Sequence, residues 1–290
     1  MILTFLSDLG YEDPFLGLCK GVIARIAPDV RVLDVMHSVG PQDIEMGAAM
    51  LASSLPFLPA PAVHLALVDP FRTIPARGIA VRTGDGSIFV APDNGLTSQA
   101  WDVAGGAVEA HVLDDKSLWN ANAARTFRAR DVFSPVAARL ADGLPIAAVG
   151  SPVPIAELQR LELRAARLHD DHVHGEIVQV DHFGNLTLNM ERHHVEAAGI
   201  NLGDMVEIRC GGKTLQVCYT LTYGEVPSGR VALCEDSFRT MCVAVNQGSA
   251  AAQLRSTRGE PIVIARVHDV AASTEQPARV ENQAPSTLTA

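Results

Sequence analysis

Positive charge is scarce in this sequence. Its 290 residues include 23 lysines and arginines against 33 aspartates and glutamates, which gives a formal net charge of −10. Binding to a nucleic-acid backbone needs clustered lysine and arginine, and the sequence has no such cluster. The composition argues against a nucleic-acid partner and favours a small-molecule substrate.

Cysteines are few, and none of them is spaced as in a CxxC motif. The chain has five of them, an odd number without a CxxC motif, so they fit neither a disulfide framework nor a zinc site. The ten histidines also lack zinc-ligand spacing, and we expect no metal. Reduced and mostly buried thiols are expected at Cys19, Cys210, Cys218, Cys234 and Cys242.

Long hydrophobic runs are also missing. No apolar segment has the length that a membrane-spanning helix needs. The first residues, Met1 to Asp8, have no basic leader and reach an acid too early to form a secretory apolar region. We therefore expect a cytoplasmic protein that makes no membrane contact.

The first half of the chain alternates short apolar runs with amphipathic stretches. The apolar runs, typical of strands, are 2–6, 30–35 and 62–68, and the helical stretches are 14–26 and 44–55. Alternation of strands and helices predicts an α/β domain with a mostly parallel central sheet. We assign residues 1–155 to this domain.

The second half has a different pattern. A charged segment, 156–172, is interpreted as a linker, and alternating polar and apolar residues follow it in five short segments. That alternation predicts a smaller all-β, barrel-like domain over 173–268. Residues 269–290 are rich in alanine, serine, threonine, proline and glutamine without an apolar period, which predicts a disordered tail.

Two predicted strands end in an aspartate, Asp8 and Asp69. Parallel sheets bind ligands beyond the carboxyl ends of their strands, so both carboxylates should face one crevice. A carboxylate at Asp8 could accept both hydrogen bonds of a ribose diol. Asp13 is either the N-cap of the first helix or a ligand group, while Asp43 is predicted to cap the second helix. His37 is interpreted as a hydrogen-bonded structural histidine.

The segment Asp181-His182-Phe183-Gly184-Asn185 places an acid, an aromatic ring and a carboxamide within five residues. An aromatic ring stacks on a base, an asparagine matches an adenine edge, and a carboxylate neutralises an ammonium group. The segment could therefore hold a purine-bearing cation. A strand that ends in a Gly-Asn turn would have the same sequence for purely structural reasons.

Further motifs occur in order along the chain together with these. They are Ser7-Asp8-Leu9-Gly10, Lys20-Gly21, Asp34-Val35-Met36-His37, Pro41-Gln42-Asp43-Ile44, Gly47-Ala48, Val68-Asp69-Pro70, Ala91-Pro92-Asp93-Asn94-Gly95-Leu96, Thr126-Phe127, Arg130-Asp131, Asp236-Ser237 and Ala244-Val245-Asn246. Each motif is short, but the ordered set resembles one family, the S-adenosylmethionine hydroxide adenosyltransferases, relatives of fluorinase and of the chlorinase that makes chlorodeoxyadenosine. The resemblance extends over residues 1–265.

The resemblance implies a homotrimer of two-domain subunits. Each active site would lie between the N-terminal domain of one subunit and the C-terminal domain of its neighbour. No metal or redox cofactor is implied, and S-adenosylmethionine would be the substrate. The family reaction displaces methionine from the 5′-carbon by a small nucleophile, for which the protein mainly supplies alignment and removal of water.

The resemblance also implies roles for individual residues. Asp8 would hold the ribose hydroxyls and Phe183 would flank the adenine. Asn185 would bind the adenine edge, and Asp181 with Ser237 would hold the methionine end. Gln42 occupies a position that lies along the substrate in relatives.

The sequence departs from the family pattern where water is activated. Hydrolytic members use an aspartate, an arginine and a histidine. Asp69 occupies the first position, but the catalytic arginine falls on Ala76 beside Arg77, and Arg128 replaces the histidine. Arg72 occupies a halide-lining position of halogenating relatives, and Ala129 matches the small residue that partners it. Lowering of a water pKa by a nearby arginine would still permit hydroxide delivery.

Three functions remain open at this stage. Hydrolysis to adenosine and methionine is the prediction, with Asp69, Arg77 and Arg128 as the catalytic set. Transfer of the adenosyl group to a halide or another anion is the first alternative, and a non-catalytic sensor is the second. Arg72, Arg77 and Arg128 could also be solvated loop residues or pair with Asp69, whereas Arg130-Asp131 is predicted to be a structural pair.

Overall fold

The computed structural model describes residues 1–68, 77–124, 126–162 and 164–267. Asp69, Arg72 and the predicted tail, 269–290, lie outside the described residues. None of the described helices is long and apolar enough to cross a bilayer. All five cysteines are free thiols, four of them buried and Cys218 half-buried, as the sequence predicts.

The N-terminal domain is an α/β unit. Its elements are β1 (Ile2–Ser7), α1 (Phe15–Ile26), β2 (Arg31–Met36), α2 (Ile44–Ser54), β3 (Val63–Leu67), β4 (Gly78–Thr83), β5 (Ile88–Pro92), α3 (Ser98–Val103), β6 (Ala107–Val112) and α4 (Ser134–Ala141). Short 3₁₀ helices span Leu55–Phe57, Lys116–Leu118, Ile146–Val149 and Ile155–Glu157, and a π-helix spans Ala129–Phe133.

The six strands form one sheet in the order β2-β1-β3-β5-β4-β6. Strands β2, β1, β3 and β5 are parallel, while β4 is antiparallel to both of its neighbours. The predicted α/β domain with a mostly parallel sheet is confirmed. The carboxyl ends of the four parallel strands lie at one edge, where ligands bind in this architecture.

Both faces of this sheet are buried. Leu3 and Phe5 of β1 pack with residues of α1 and α4, whereas Leu6 packs on the other face with α2 and α3. This separation follows from the two-residue period of a strand. Burial of its apolar side chains on both faces fixes β1 in the sheet, so the residues that follow Ser7 leave the sheet at a defined point.

The C-terminal domain is all-β apart from two short helices. Its elements are β7 (Arg167–His169), β8 (His172–Val180), β9 (Leu186–Glu191), α5 (Arg192–Ala197), β10 (Met205–Cys210), β11 (Lys213–Tyr219), a 3₁₀ turn (Tyr223–Glu225), β12 (Val231–Glu235), β13 (Thr240–Val245), α6 (Ala250–Leu254) and β14 (Pro261–Arg266).

Seven of these strands close into a ring in the order β14-β10-β11-β12-β13-β9-β8, because β14 also pairs with β8. Alternate residues of β10, namely Val206, Ile208 and Cys210, are buried inside the ring. The predicted barrel-like domain is confirmed. Strand β7 falls within the predicted linker and pairs with β8 outside the ring, so part of that segment belongs to the barrel sheet.

The two domains contact each other. Arg258 in the α6–β14 connection pairs with Asp43 at the start of α2 and lies 3.4 Å from Glu45. The rings of Phe57 and Phe238 meet edge to face at 6.4 Å. These contacts join α2 and the 3₁₀ helix that follows it to the barrel.

Candidate active site

Asp8 follows β1 directly, at the ligand-binding edge of the sheet. Its backbone N–H donates to the carbonyl of Leu67 at the end of β3, over 3.2 Å. Its carboxylate Oδ2 accepts a hydrogen bond from the backbone N–H of Gln42, over 3.1 Å. Gln42 has the left-handed backbone angle φ 63°, a conformation unusual for a residue with a side chain. The structure thus brings Asp8 and Gln42 together.

The two predicted helix caps differ in outcome. Asp43 caps α2, since its Oδ1 accepts a hydrogen bond from Met46 N–H over 3.0 Å. The alternative that Asp13 caps α1 is wrong, because α1 begins at Phe15 with Pro14 in the N-cap position. Among the described residues, no side chain caps this helix start by a hydrogen bond. Asp13 is exposed on the loop between β1 and α1.

Arg77 stands at the end of segment 69–76, and its guanidinium is engaged by Asp93. Nε lies 2.9 Å from Asp93 Oδ2, and Nη2 contacts the same oxygen and the carbonyl of Glu157 at 3.3 Å. The other Asp93 oxygen accepts a hydrogen bond from Gln159 N–H over 2.8 Å. The Asp93 side chain is only 4% exposed. Arg77 therefore ties the strand-end turn to the segment after residue 155.

The π-helix begins at Ala129, and Arg128 immediately precedes it. Ala129 is buried, and the Arg128 guanidinium lies over the Phe133 ring, 5.4 Å from its centroid. Burial lowers the pKa of Arg128. A methyl group added at Gly78 would lie 3.0 Å from the Phe133 ring, so that ring packs against the start of β4. Arg128 is thereby placed near the start of β4.

The predicted structural pair Arg130-Asp131 is confirmed. Nε and Nη2 of Arg130 each lie 2.7 Å from a separate oxygen of Asp131. These bonds lower the pKa of Asp131 to about 2. The same carboxylate accepts hydrogen bonds from Ala124 N–H over 2.8 Å and from Asn120 Nδ2 over 3.1 Å. Asp131 holds the 120–124 loop against the π-helix.

The β8–β9 turn carries Asp181, Phe183 and Asn185, and Asp181 closes it. Asp181 Oδ1 accepts hydrogen bonds from Phe183 N–H and Asn185 N–H over 2.9 and 2.8 Å. Its Oδ2 accepts one from Asn185 Nδ2 over 2.8 Å. The Phe183 ring is 74% exposed. The turn therefore presents an aromatic face to the outside and holds the carboxamide beside the carboxylate.

Gly184 allows this turn to lie against α6. Its φ is +83°, and an added Cβ would lie 2.0 Å from Ser249 Oγ. The Gly184 carbonyl accepts a hydrogen bond from Ala251 N–H over 2.9 Å. A side chain at this position would be incompatible with both the backbone angle and the space.

The β12–β13 turn is built in a similar way around Asp236. Asp236 Oδ1 accepts hydrogen bonds from Phe238 N–H over 2.8 Å and Thr240 N–H over 3.0 Å, and Oδ2 accepts one from Thr240 Oγ1 over 2.8 Å. Thr187 Oγ1 of β9 also donates to Oδ2, over 3.3 Å. Ser237 is exposed at the tip. The sequence motif contained Asp236, but its role as the turn closure was missed.

The described site residues fall into two groups, one in each domain. Asp8 and Gln42 meet at the sheet edge, and Arg77 and Arg128 lie near the start of β4. Asp181, Phe183 and Asn185 form one barrel turn, and Ser237 lies on a second. Asp93 was missed as a site-supporting residue, although its place in a turn after a strand was a usable signal.

A separate cavity of about 540 Å³ lies where α2 and α3 face the barrel. Its apolar lining includes Ala49, Val103, Leu188, Met190 and Phe238. Of the predicted site residues that the structure describes, none lines this cavity. The cavity is therefore separate from the contact between Asp8 and Gln42 at the sheet edge.

Comparison with known proteins assigns both domains to one family. The model of the SAM hydroxide adenosyltransferase N-terminal domain matches residues 3–150, and that of the corresponding C-terminal domain matches residues 175–263. A solved structure of an uncharacterised conserved protein from Thermotoga maritima is 30% identical, with a TM-score of 0.85, and the alignment covers 91% of this chain and all of that one.

The named relatives include hydrolases and fluorinases. The (R)-S-adenosyl-L-methionine hydrolase of Salinispora tropica is 40% identical over 89% of this chain and 95% of its own length. The protein of the same name from Thermus thermophilus is 37% identical over 89% and 97%. The fluorinase of Nocardia brasiliensis is 28% identical over 73% of this chain and 78% of its own.

Proposed function

Because the chain belongs to the SAM hydroxide adenosyltransferase family, we propose that it hydrolyses S-adenosyl-L-methionine to adenosine and L-methionine. The observation that carries this proposal is the 37–40% identity to the hydrolases of Salinispora tropica and Thermus thermophilus along nearly their whole length, against 28% to the fluorinase. The likeness extends over both domains, and so over both groups of site residues.

In this proposal the sheet edge holds the sugar. The Asp8 carboxylate accepts hydrogen bonds from the ribose hydroxyls, with Gln42 alongside and Asp13 at the outer rim. The bond from Gln42 N–H to Asp8 supports this role, because it fixes one carboxylate oxygen from the side of α2. Charge-assisted hydrogen bonds of this type are strong and directional.

The barrel turns hold the remaining parts of the substrate. The exposed ring of Phe183 stacks on the adenine, and Asn185 binds the adenine edge. Asp181 and Ser237 bind the methionine end, where a carboxylate neutralises the ammonium group. The closed turn supports this assignment, since the hydrogen bonds of Asp181 fix the Phe183 backbone and the Asn185 carboxamide before substrate binds.

The reaction is a displacement at the 5′-carbon. The bond from C5′ to sulfur breaks with its electron pair going to sulfur, a bond from C5′ to the water oxygen forms, and the water proton passes to a base. Asp69 is the proposed base, while Arg77 and Arg128 stabilise developing hydroxide, and Arg72 and Ala129 line the nucleophile site. Alignment of water with C5′ can lower the barrier by about 7 to 11 kcal/mol.

We further propose that the active protein is a homotrimer, with each site formed between the sheet edge of one subunit and the barrel turns of the next. The exposed Phe183 and Tyr11 side chains support this arrangement, since a neighbour would cover them. The reaction needs no metal or redox cofactor in this proposal. Free thiols suit a reducing compartment, which supports a cytoplasmic location.

Product analysis tests the reaction. Purified protein is incubated with S-adenosylmethionine, with and without fluoride, chloride or bromide, and the adenosine-containing products are separated by chromatography. We expect adenosine alone, unchanged by EDTA and lost in Asp69→Asn but not in the surface control Asp102→Asn. A halogenated product would show that the protein transfers the adenosyl group to halide instead of to water. Binding of S-adenosylmethionine without turnover would favour the non-catalytic sensor.

Complementation tests the shared site. Asp8→Ala and Asp181→Ala should each be inactive. A mixture of equal amounts refolded together should regain about a quarter of wild-type activity, because half of the sheet edges keep Asp8, half of the barrel turns keep Asp181, and the two combine at random. Recovery requires that the halves come from different chains. A mixture that forms mixed trimers yet stays inactive would contradict sites between subunits.

A further inference from the structure

Four polar side chains from three of the sequence motifs form one continuous series of contacts that ends beside Asp8. Lys20 Nζ of α1 lies 2.9 Å from Asp34 Oδ2. His37 Nε2 lies 3.3 Å from Asp34 Oδ1, and His37 Nδ1 lies 2.7 Å from Ser7 Oγ. Ser7 and His37 are completely buried. The series runs from the surface of α1 through the end of β2 to the end of β1.

The charges along this series select one arrangement of hydrogens. Burial lowers the pKa of His37, so the ring is neutral at neutral pH. Burial opposes the charged form of Asp34, but its contacts with Lys20 and His37 outweigh that effect and lower its pKa. A carboxylate accepts only, so the hydrogen of His37 lies on Nε2, although this contact is not an aligned hydrogen bond. Nδ1 is then the acceptor for the Ser7 hydroxyl.

The same groups hold the backbone on both sides of Asp8. Ser7 Oγ accepts a hydrogen bond from Leu9 N–H over 3.3 Å, and the carbonyl of His37 accepts one from Gly10 N–H over 2.8 Å. The His37 ring is packed edge to face between Phe5 and Tyr11, at centroid distances of 4.8 and 5.6 Å. The turn that carries Asp8 is therefore attached to His37 at two points.

We propose that His37 is a positioning residue that, oriented by Asp34 and Lys20, fixes the Ser7–Gly10 turn and so aims the Asp8 carboxylate at the ribose hydroxyls. This inference rests on the proposed binding of an adenosyl group at Asp8. A loosened turn weakens selection of the ribose, while the reacting atoms at C5′ are aligned by other residues. The effect therefore falls on binding more than on turnover.

The chain contains a matched control on the same strand. His64 is also buried, and its Nδ1 lies 2.8 Å from the hydroxyl of Thr4, three residues before Ser7 on β1. His64 stacks on Phe89 in the middle of the sheet. Loss of either histidine removes the same kind of hydrogen bond from β1, but only His37 adjoins the turn that holds Asp8.

The experiment compares His37→Leu, His37→Asn, Ser7→Ala and His64→Leu. Calorimetry gives the Kd of adenosine and of 2′,3′-dideoxyadenosine, and steady-state kinetics give KM and kcat for S-adenosylmethionine. For His37→Leu we expect KM to rise about tenfold, kcat to change less than about threefold, and the preference for adenosine over the dideoxy compound to fall about tenfold. His37→Asn keeps an acceptor for Ser7 and should recover part of that preference.

Several results would overturn the inference. These are a wild-type ribose preference in folded His37→Leu, an equal loss in His64→Leu, or a wild type that does not distinguish the two nucleosides. If His37→Leu does not fold, Ser7→Ala, which removes only the hydroxyl, must show the same loss. Nitrogen NMR of the wild type should find the hydrogen on Nε2, and finding it on Nδ1 would contradict the series. Failure of the proposed hydrolysis shows separately, as absence of adenosine product with the ribose preference intact.

Discussion

In the α/β domain, the groups at the site meet across long stretches of chain, whereas each barrel turn is closed by its own aspartate. Asp8 is bonded to a residue 34 positions away, and Arg77 pairs with Asp93, 16 positions away. Asp181 is bonded to residues two and four positions away. The sheet edge therefore depends on packing of the whole domain, while the barrel turns are largely local structures.

The largest effect is expected from the pair at the sheet edge. Arg77→Ala leaves the buried Asp93 carboxylate without its cation, and we expect the free energy of unfolding to fall by about 4 kcal/mol. Urea denaturation measures this fall. The double variant with Asp93→Asn should regain part of the stability, because no buried charge remains. If the single and double variants were equally unstable, the pair would not be the cause.

In the barrel, the sharpest local test is Gly184→Ala. The added methyl group would meet Ser249 at a backbone angle that disfavours side chains, so we expect a loss of about 3 kcal/mol. Gly203→Ala is the control, because Gly203 has φ +93° but open space around it, and its loss should be about 1 kcal/mol. Equal losses at the two positions would show that the contact with Ser249 is unimportant.

Acid should lower the stability of the α/β domain through two buried histidines. Burial lowers the pKa of His64 to about 4, and that of His37 in the same direction. As the pH falls, the histidines of the unfolded chain bind protons before those of the folded chain. The contribution of neutral His64 to the free energy of unfolding is therefore complete above about pH 6.5, and about 3 kcal/mol of it is lost as the pH drops towards 4. Both tryptophans, Trp101 and Trp119, lie in the α/β domain, so their fluorescence reports its unfolding. His64→Leu should flatten this part of the pH profile.

The smallest effect is expected where a turn keeps most of its backbone structure. Asp236→Ala removes acceptors at the partly exposed β12–β13 turn, and we expect a loss of about 2 kcal/mol. Hydrogen exchange should show faster exchange of the Phe238 and Thr240 amides, with little change in the α/β domain. Faster exchange at β1 as well would contradict the view of this turn as a local structure.

The features predicted correctly from the sequence are those that depend on neighbours in the chain. The alternation of strands and helices and the cap at Asp43 both follow from residues a few positions apart. The Arg130-Asp131 pair is of the same kind. The alternative that Asp13 caps α1 failed locally, because Pro14 already occupies the N-cap position.

Other features were decided only by the tertiary structure. Arg77 could have paired with several acids, and its partner Asp93 is set by the antiparallel pairing of β4 with β5, which places Gly78 opposite Pro92. His37 was correctly interpreted as a hydrogen-bonded histidine, but the sequence did not show that its partners are Ser7 and Asp34. The sequence by itself determined the two domain types and the cap at Asp43, because hydrophobic period and capping chemistry act over a few residues. Which buried polar groups meet was decided by strand order, because a buried group bonds to whatever packing places beside it.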